Sequence, residues 1–304
     1  MATINRAAIN KLLWKGINTV FGLNYAKKDT DWTKIFEKRS SNQAWEEDQL
    51  MSGTGYAAVK PEGAPVMYDE MRQGWTARYD HDTIALALRV TEEARDDNLY
   101  FKIGAKGGRS LANSMHQTCE VRGANVLNNS TSGAHLGGDG VSLLSVNHPL
   151  MGGGVYANTL AIPAEISETA LEDMLILCDT AVDDRGLPIK LGPKRLIISR
   201  HQRFNVHRLL RSTGRVGTGD NDTNALRSMG IFSEEPLMVT HLSNPKFWGF
   251  TTDVPDGGLI AYVRKETTTD NDMDFDTRDF KFLVIRRDSF GWTDPRGFYG
   301  CDPV

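Results

Sequence analysis

The stretch that most constrains this chain is VTEEARDDNLYFKIGAKGGRSLANSMHQTCEVRGANVLNN, residues 90–129. Apolar or small residues recur at Leu99, Ile103, Gly107, Leu111, Met115, Cys119 and Val126, close to every fourth position, which is a helical period. A helix over 98–128 would span roughly 45 Å at 1.5 Å per residue. Asn98 is a fitting N-cap, and Asp96 and Asp97 lie where the positive end of the helix dipole favours acids. An ordinary helix has about three turns, so this one is expected to be a scaffold axis. It carries Gly104, Gly107, Gly108 and Gly123, each costing about 1 kcal/mol against Ala in a helix interior. Either the helix kinks or breaks near Lys106, or the missing side chains let a neighbouring element or another chain approach its backbone.

What precedes the helix has a different texture. Residues 5–20 predict a short amphipathic helix with Ala8, Leu12 and Ile17 among its apolar positions. A polar run then leads to Trp32, and Ile35, Phe36 and Trp45 read as an arm that must lie on something, in this chain or a neighbouring one. Over 46–90, Gly53, Gly55, Pro61, Gly63, Pro65 and Gly74 punctuate short segments at 56–59, 66–68, 75–79 and 83–90. The last of these, TIALALRV, alternates as a strand does. Together they predict a long β-hairpin with an irregular tip around 60–65. An isolated two-stranded ribbon is marginal in water and this one has few apolar residues, so a partner subunit is expected to stabilise it.

Beyond the helix, 129–158 is a glycine-rich loop with GGDG at 137–140, Asn147-His148-Pro149, and glycines at 152–154. Loops of that length are usually functional or interfacial. Then come a helix over 169–182 with Leu171, Leu175 and Cys178 on one face, a buried strand at 195–199 and a helix at 202–212. Strands at 247–251 and 259–263 flank a turn at 255–258, and a final strand at 281–286 precedes a terminal segment, 290–300. No internal repeat is visible, and the class is α+β.

At 304 residues the chain can bury a sizeable core, as one large domain or two modest ones. It has no apolar run of membrane-spanning length and no signal-peptide h-region. Cys119, Cys178 and Cys301 are far apart and odd in number, which points to a reducing, intracellular site of folding without disulfides. The formal net charge is −4, and no basic stripe marks a protein that grips many phosphates. Mild acidity also suits a surface that must not stick to DNA.

Catalytic patterns fail one by one. His116 and Cys119 form an H-x-x-C step without a second ligand pair, so Cys119 is expected in the core with His116 at its edge. Asp270, Asp272, Asp274 and Asp276 alternate as in a calcium loop, but Phe275 and Lys281 stand where that loop needs Gly and Glu. A solvated, acidic strand edge that opposes aggregation is the better reading. There is no Walker A sequence, Rossmann fingerprint or nucleophile elbow, and His201 and His207, six apart on one expected helix, do not share a face. Neither a metal, a cofactor nor an enzymatic activity is expected.

Arm, extended hairpin, long helix, α/β region and late strands, in that order, resemble a tailed-phage major capsid protein of the HK97 fold, over about 5–304. The phrases that carry the resemblance are Ala44-Trp-Glu-Glu-Asp48, Lys60-Pro-Glu-Gly63, Gln73-Gly-Trp-Thr76, Gly138-Asp-Gly-Val-Ser-Leu-Leu144 with Asn147-His-Pro149, Arg215-Val-Gly-Thr-Gly-Asp-Asn221 and Phe290-Gly-Trp-Thr-Asp-Pro-Arg-Gly297. The resemblance implies an N-terminal arm (1–45), an E-loop hairpin with its return strand (46–90), a spine helix and following loop of the peripheral domain (91–165), an axial domain (166–264) and closing strands of the peripheral domain (265–304). It implies self-assembly into hexamers and pentamers that close an icosahedral head around double-stranded DNA, which lies on the inner face without sequence specificity. Portal, separate scaffolding and decoration proteins are the further partners implied, with no membrane, in a virion assembled in the bacterial cytoplasm.

On that resemblance the candidate intersubunit residues are Trp45, Lys60, Glu62, Met67, Tyr68 and Trp75 of the hairpin, Arg215 and Asp220 of a loop facing the capsomer axis, and Asp272 and Asp274. The Arg-rich 200–215 and the Asp-rich 270–279 are candidates for pairing between capsomers. Only some 45 residues precede the hairpin, so no cleaved scaffolding domain is expected. Lys60 is the only lysine near the tip and no Asn follows Asp274, so no isopeptide cross-link is expected either. The rival readings are an encapsulin-like nanocompartment shell and a cytosolic α/β hydrolase or metal-dependent enzyme with an unrecognised site.

Overall fold

The computed structural model describes residues 18–91, 93, 100–214, 223–254 and 257–303. Helix α1 occupies 18–26 and continues past the expected end at Val20. Phe21 and Tyr25, one turn apart, explain the extension: their rings stack at 5.6 Å, and Phe21 leans on Phe282 at 6.4 Å. A single turn, α2 (Trp32–Ile35), and strand β1 (Glu37–Ser40) complete the described part of the arm. Trp32, Ile35 and Phe36 are buried in this chain's own core, whereas Trp45 is exposed. The expected helix over 5–17 lies outside the described residues.

Strands β2 (Trp45–Met51) and β3 (Gln73–Asp80) form an antiparallel pair, Trp45 opposite Asp80 and Met51 opposite Gln73. Residues 52–72 carry no ladder. The segments at 56–59 and 66–68 are therefore not strands: Pro61, Gly63 and Pro65 part them before they can pair. Nor does 83–90 extend the hairpin. It is strand β4 (Asp82–Val90), and it pairs with a late strand in another sheet.

Helix α3 (Tyr100–Asn128) runs unbroken, so no break forms near Lys106. The close-approach reading holds at two glycines. A Cβ on Gly107 would collide with Leu88 Cδ2, and one on Gly123 would lie 2.9 Å from Trp32 Cβ. The missing side chains seat β4 and the arm against the helix. The expected cap at Asn98 lies outside the described residues. The loop after α3 is pinned by a short ladder, β5 (His148–Pro149) against β6 (Val155–Tyr156), and by a bridge between Leu136 and Ser142.

Helix α4 (Glu168–Asp179) begins at Ser167, whose Oγ accepts the Ala170 N–H, and ends before the expected Val182. Then follow β7 (Pro193–Ser199), a 3₁₀ turn (Arg200–Gln202), α5 (Arg203–Arg211), α6 (Ala225–Met229), β8 (Leu237–Val239) and β9 (Trp248–Thr252). His201 thus sits in the 3₁₀ turn and His207 in α5, not on one helix. Strand β10 (Leu259–Met273) extends well past the expected 263, and β11 (Phe280–Trp292) past the expected 281–286 at both ends. Within the terminal segment Phe298–Cys301 forms β12, and it is antiparallel to β9 of the axial region rather than part of the sheet that β11 belongs to.

Two four-stranded sheets result, ordered β1-β10-β11-β4 and β12-β9-β7-β8. β9 and β10 therefore belong to different sheets instead of pairing as neighbours, and the division placed between 264 and 265 falls inside β10. Alternation along the second sheet serves two cores. Ile197, Phe247 and Phe298 join the spine-helix residues Leu111, Met115 and Cys119, while Leu196, Ile198, Trp248, Phe250 and Tyr299 face α4 and α5. The long helix is packed between the first sheet, the arm and the back of the second sheet.

Candidate assembly surfaces

Three buried polar locks hold the body rigid beneath its surfaces. Asn158, fully buried, donates to the carbonyls of Leu143 (2.6 Å), Phe298 (3.1 Å) and Pro295 (3.2 Å), and its Oδ1 accepts the Ser145 N–H. His148 Nδ1 donates to Asp139 Oδ2 at 2.7 Å, and Nε2 lies 3.2 Å from Asn158 Oδ1. This explains the GDG and NHP phrases: they close the loop on itself. A Cβ on Gly138 would meet the backbone oxygen of Thr76 at 2.7 Å, so the glycine lets the hairpin root rest there.

The second lock is Arg296, which donates to Asp184 Oδ1 (2.7 Å), Asp294 Oδ2 (3.1 Å) and the Val182 carbonyl (2.9 Å). The third is Arg286, which donates to Asp288 Oδ2 at 2.5 Å and lies 5.2 Å above the Trp32 ring. Arg122 of α3 stands 3.3 Å from the other Asp288 oxygen and bridges to Asp82 at 3.0 Å. Charged groups as buried as these must be paired to be tolerated.

The hairpin extension is anchored only at its root. Ser52 and Arg72 exchange bonds at 2.8 and 2.9 Å. Asp69 accepts the Gly55 N–H at 2.6 Å and pairs with Arg185, and these bonds hold its carboxyl down at about 2. Farther out the side chains face solvent: Tyr56 is 80% exposed, Met67 79%, and Val59 and Tyr68 both 95%. Lys60 and Glu62 are exposed as well. Trp75 is half-buried on β3, and the Arg78 guanidinium covers the Trp45 ring at 4.7 Å. The structure therefore brings Lys60, Glu62, Met67 and Tyr68 to one protruding loop and leaves Trp45 and Trp75 at its base. Arg215 and Asp220 lie outside the described residues.

Asp272 faces solvent on β10, and Asp274 in the following turn takes the Lys281 Nζ at 2.5 Å. β1 pairs with β10 only from Ile260 to Val263, so among the described residues the outer edge of β10 is open beyond that point. The acidic strand edge is where the sequence put it. Cys119 is buried and pushed up to about 11 by that burial. His116 Nε2 donates to the Asp29 carbonyl, 2.9 Å away.

Sequence reasoning missed the Arg286–Asp288, Arg296–Asp184 and Glu120 contacts. Charges two apart inside the apolar run FLVIRRDSF were the one available signal. It also missed the exposed Phe204 and Ile176.

Among the described residues, no three His, Cys, Asp or Glu side chains could hold a metal ion, and no helix is long and apolar enough to cross a membrane. The fold is that of shell subunits. It is similar to the capsid of an empty GTA particle (TM-score 0.53, 9% identity, 91% of both chains). It is also similar to Microbacterium phage Oxtober96 (0.52, 10%, 91% of this chain and 92% of that one) and to a virus-like particle from Pyrococcus furiosus (0.51, 13%, 95% and 98%). No curated protein matches in sequence. A family model described as phage capsid protein matches residues 75–300, and the chain belongs to that family. The HK97-like α+β architecture expected from the sequence is the one observed. The family is one of structural virion components and not an enzyme class.

Proposed function

We propose that this chain is the major head subunit that self-assembles into hexamers and pentamers and closes an icosahedral shell around double-stranded DNA. The observation that carries this reading is the extension at 52–72. It exposes Tyr56, Val59, Met67 and Tyr68 without a core of its own. An exposed apolar surface on a projecting loop implies a partner. A second copy of the same chain is the partner that makes a shell.

In this reading 1–45 is an arm whose described part lies on its own core, 46–90 the hairpin and return strand, and 91–165 the spine region. Residues 166–264 are the axial domain, and 265–304 close the peripheral domain while lending β12 to the axial sheet. Scaffolding comes from a separate protein, a portal occupies one vertex, and a decoration protein is a further candidate partner. Assembly takes place in the host cytoplasm.

Electron microscopy of the protein expressed alone and with its neighbouring genes tests the reading. Closed shells containing nucleic acid are the expected result. Shells filled with a protein cargo would favour the nanocompartment, and a monodisperse monomer or dimer under every condition would overturn both.

A further inference from the structure

The axial sheet has two unlike flanks. Helices α4 and α5 pack on the same face of it, burying Leu171 and Met174 from one and Val206 and Leu209 from the other among Leu196, Ile198, Trp248 and Phe250. They lie over opposite edges. α4 sits toward β12, where the Ala164 N–H reaches Cys301 Sγ at 3.2 Å and Trp248 Nε1 donates to the Ala164 carbonyl. α5 sits toward β8, the other end of the strand order, and forms with it a groove of about 540 Å³.

The flanks carry opposite charge. Residues 165–180 include Glu165, Glu168, Glu172, Asp173 and Asp179 and no Lys or Arg. Residues 200–211 include Arg200, Arg203, Arg208 and Arg211 and no Asp or Glu. Within this charge pattern Arg211 is paired with Glu235, Glu234 with Arg195 and Glu165 with Lys246, so Arg203 and Arg208 on one flank and Asp173 and Asp179 on the other carry the contrast. Each flank also exposes apolar side chains: Ile162 at 82% and Ile176 at 60% on the acidic side, Phe204 at 74% and Met238 at 37% on the basic side. Phe204 and Met238 line the groove with Ile198, Val206 and Leu210, and Arg203 and Arg211 rim it.

We propose that the acidic α4 flank of one copy docks on the basic α5–β8 flank of the next, with Ile176 and Ile162 entering the groove, in a head-to-tail contact that closes capsomer rings. A contact between two different patches of the same chain builds a ring when its rotation closes. Complementary charge speeds encounter and fixes register, and like charges placed face to face oppose it. The proposal rests on the capsid reading and names the contact within each capsomer.

Charge reversal tests it. Asp173→Lys with Asp179→Lys, or Arg203→Glu with Arg208→Glu, should each raise the protein concentration needed for rings by about tenfold or more. Sedimentation velocity reads the assembly, and circular dichroism checks the fold. An equimolar mixture of the two reversed chains should recover rings of alternating copies, hence hexamers but not pentamers. One chain carrying all four changes should recover both.

Either reversed chain assembling at the wild-type concentration would overturn the proposal, while wild-type shells would leave the capsid reading standing. Failure of the wild type to form any shell would remove both. Should a reversed chain misfold, the salt dependence of wild-type capsomers decides: dissociation on raising salt supports the contact, and insensitivity overturns it.

Discussion

Glu120, midway along the spine helix, accepts the backbone N–H of Trp32 at 3.2 Å, and its other oxygen accepts that of Asp31 at 3.0 Å. The turn at Trp32–Ile35 has no side-chain cap of its own, since Asp31 in the N-cap position makes none. The carboxyl group of a distant helix satisfies those donors instead. With His116 at the Asp29 carbonyl, this contact fixes the arm to the spine.

The contact is pH-dependent. Burial, with a smaller effect from the nearby acid Asp31, pushes Glu120 from an ordinary 4.5 up to about 7. The folded protein therefore holds a proton there that the unfolded chain releases. The stability from this group is fully present below about 4.5 and is lost as pH rises through about 7. Thermal unfolding of wild type and Glu120→Gln should show a Tm difference that changes between those pH values and is flat above them. Parallel Tm curves through that window would remove Glu120 as the titrating group.

The spine helix was legible because one face repeats: Leu111, Met115 and Cys119 are all buried, at the spacing that the sequence displays. β12 was not. Phe298 and Tyr299 point to two different cores, both apolar, so a buried strand shows no alternation. The segments at 56–59 and 66–68 have strand-like residues, but β-propensity reports a surface to pair on, and this chain provides none there. The protruding loop was legible from its punctuation, and the acidic edge from its charge pattern. The locks at Arg286 and Arg296 join residues distant in sequence, and periodicity carries no record of such pairing.

Gly123→Ala separates propensity from packing. Helix propensity alone predicts stabilisation by about 1 kcal/mol. The added methyl would stand 2.9 Å from Trp32 Cβ, with Phe36 and Phe290 close behind. Overpacking typically costs about 1–3 kcal/mol, so a net loss of stability is expected in denaturant titration, with the region around Trp32 exchanging its amides faster. A gain in stability would mean that the arm yields without cost.

Asp288 faces both Arg286 and Arg122 with a fully buried side chain. Asp288→Asn keeps the shape and takes the close carboxylate from the buried Arg286, while Arg122 keeps its bridge to Asp82, and a loss of about 3–5 kcal/mol is expected for breaking such a buried pair. Combining it with Arg286→Met should cost less than the sum of the two single changes, because the second removes a charge that the first left unpaired. Strict additivity in unfolding free energy would show that the pair is not coupled.

Val59, Met67 and Tyr68 project from the loop with almost no contact to their own body, so their truncation should separate folding from assembly. Each Ala substitution should change the stability of the unassembled subunit by no more than about 0.5 kcal/mol, the usual range for a surface site. In a shell the same side chains would be covered, and burying one fully contributes about 1.5–3 kcal/mol. Val59→Ala, Met67→Ala and Tyr68→Ala should therefore leave Tm unchanged and raise the concentration required for shells, with the triple variant unable to close them. Asp69→Asn, which loosens the root at Arg185 without touching the tip, should weaken assembly less than the triple variant does. Normal shells from the triple variant would show that the loop is ornamental and would shift the search for the subunit contact to the axial flanks.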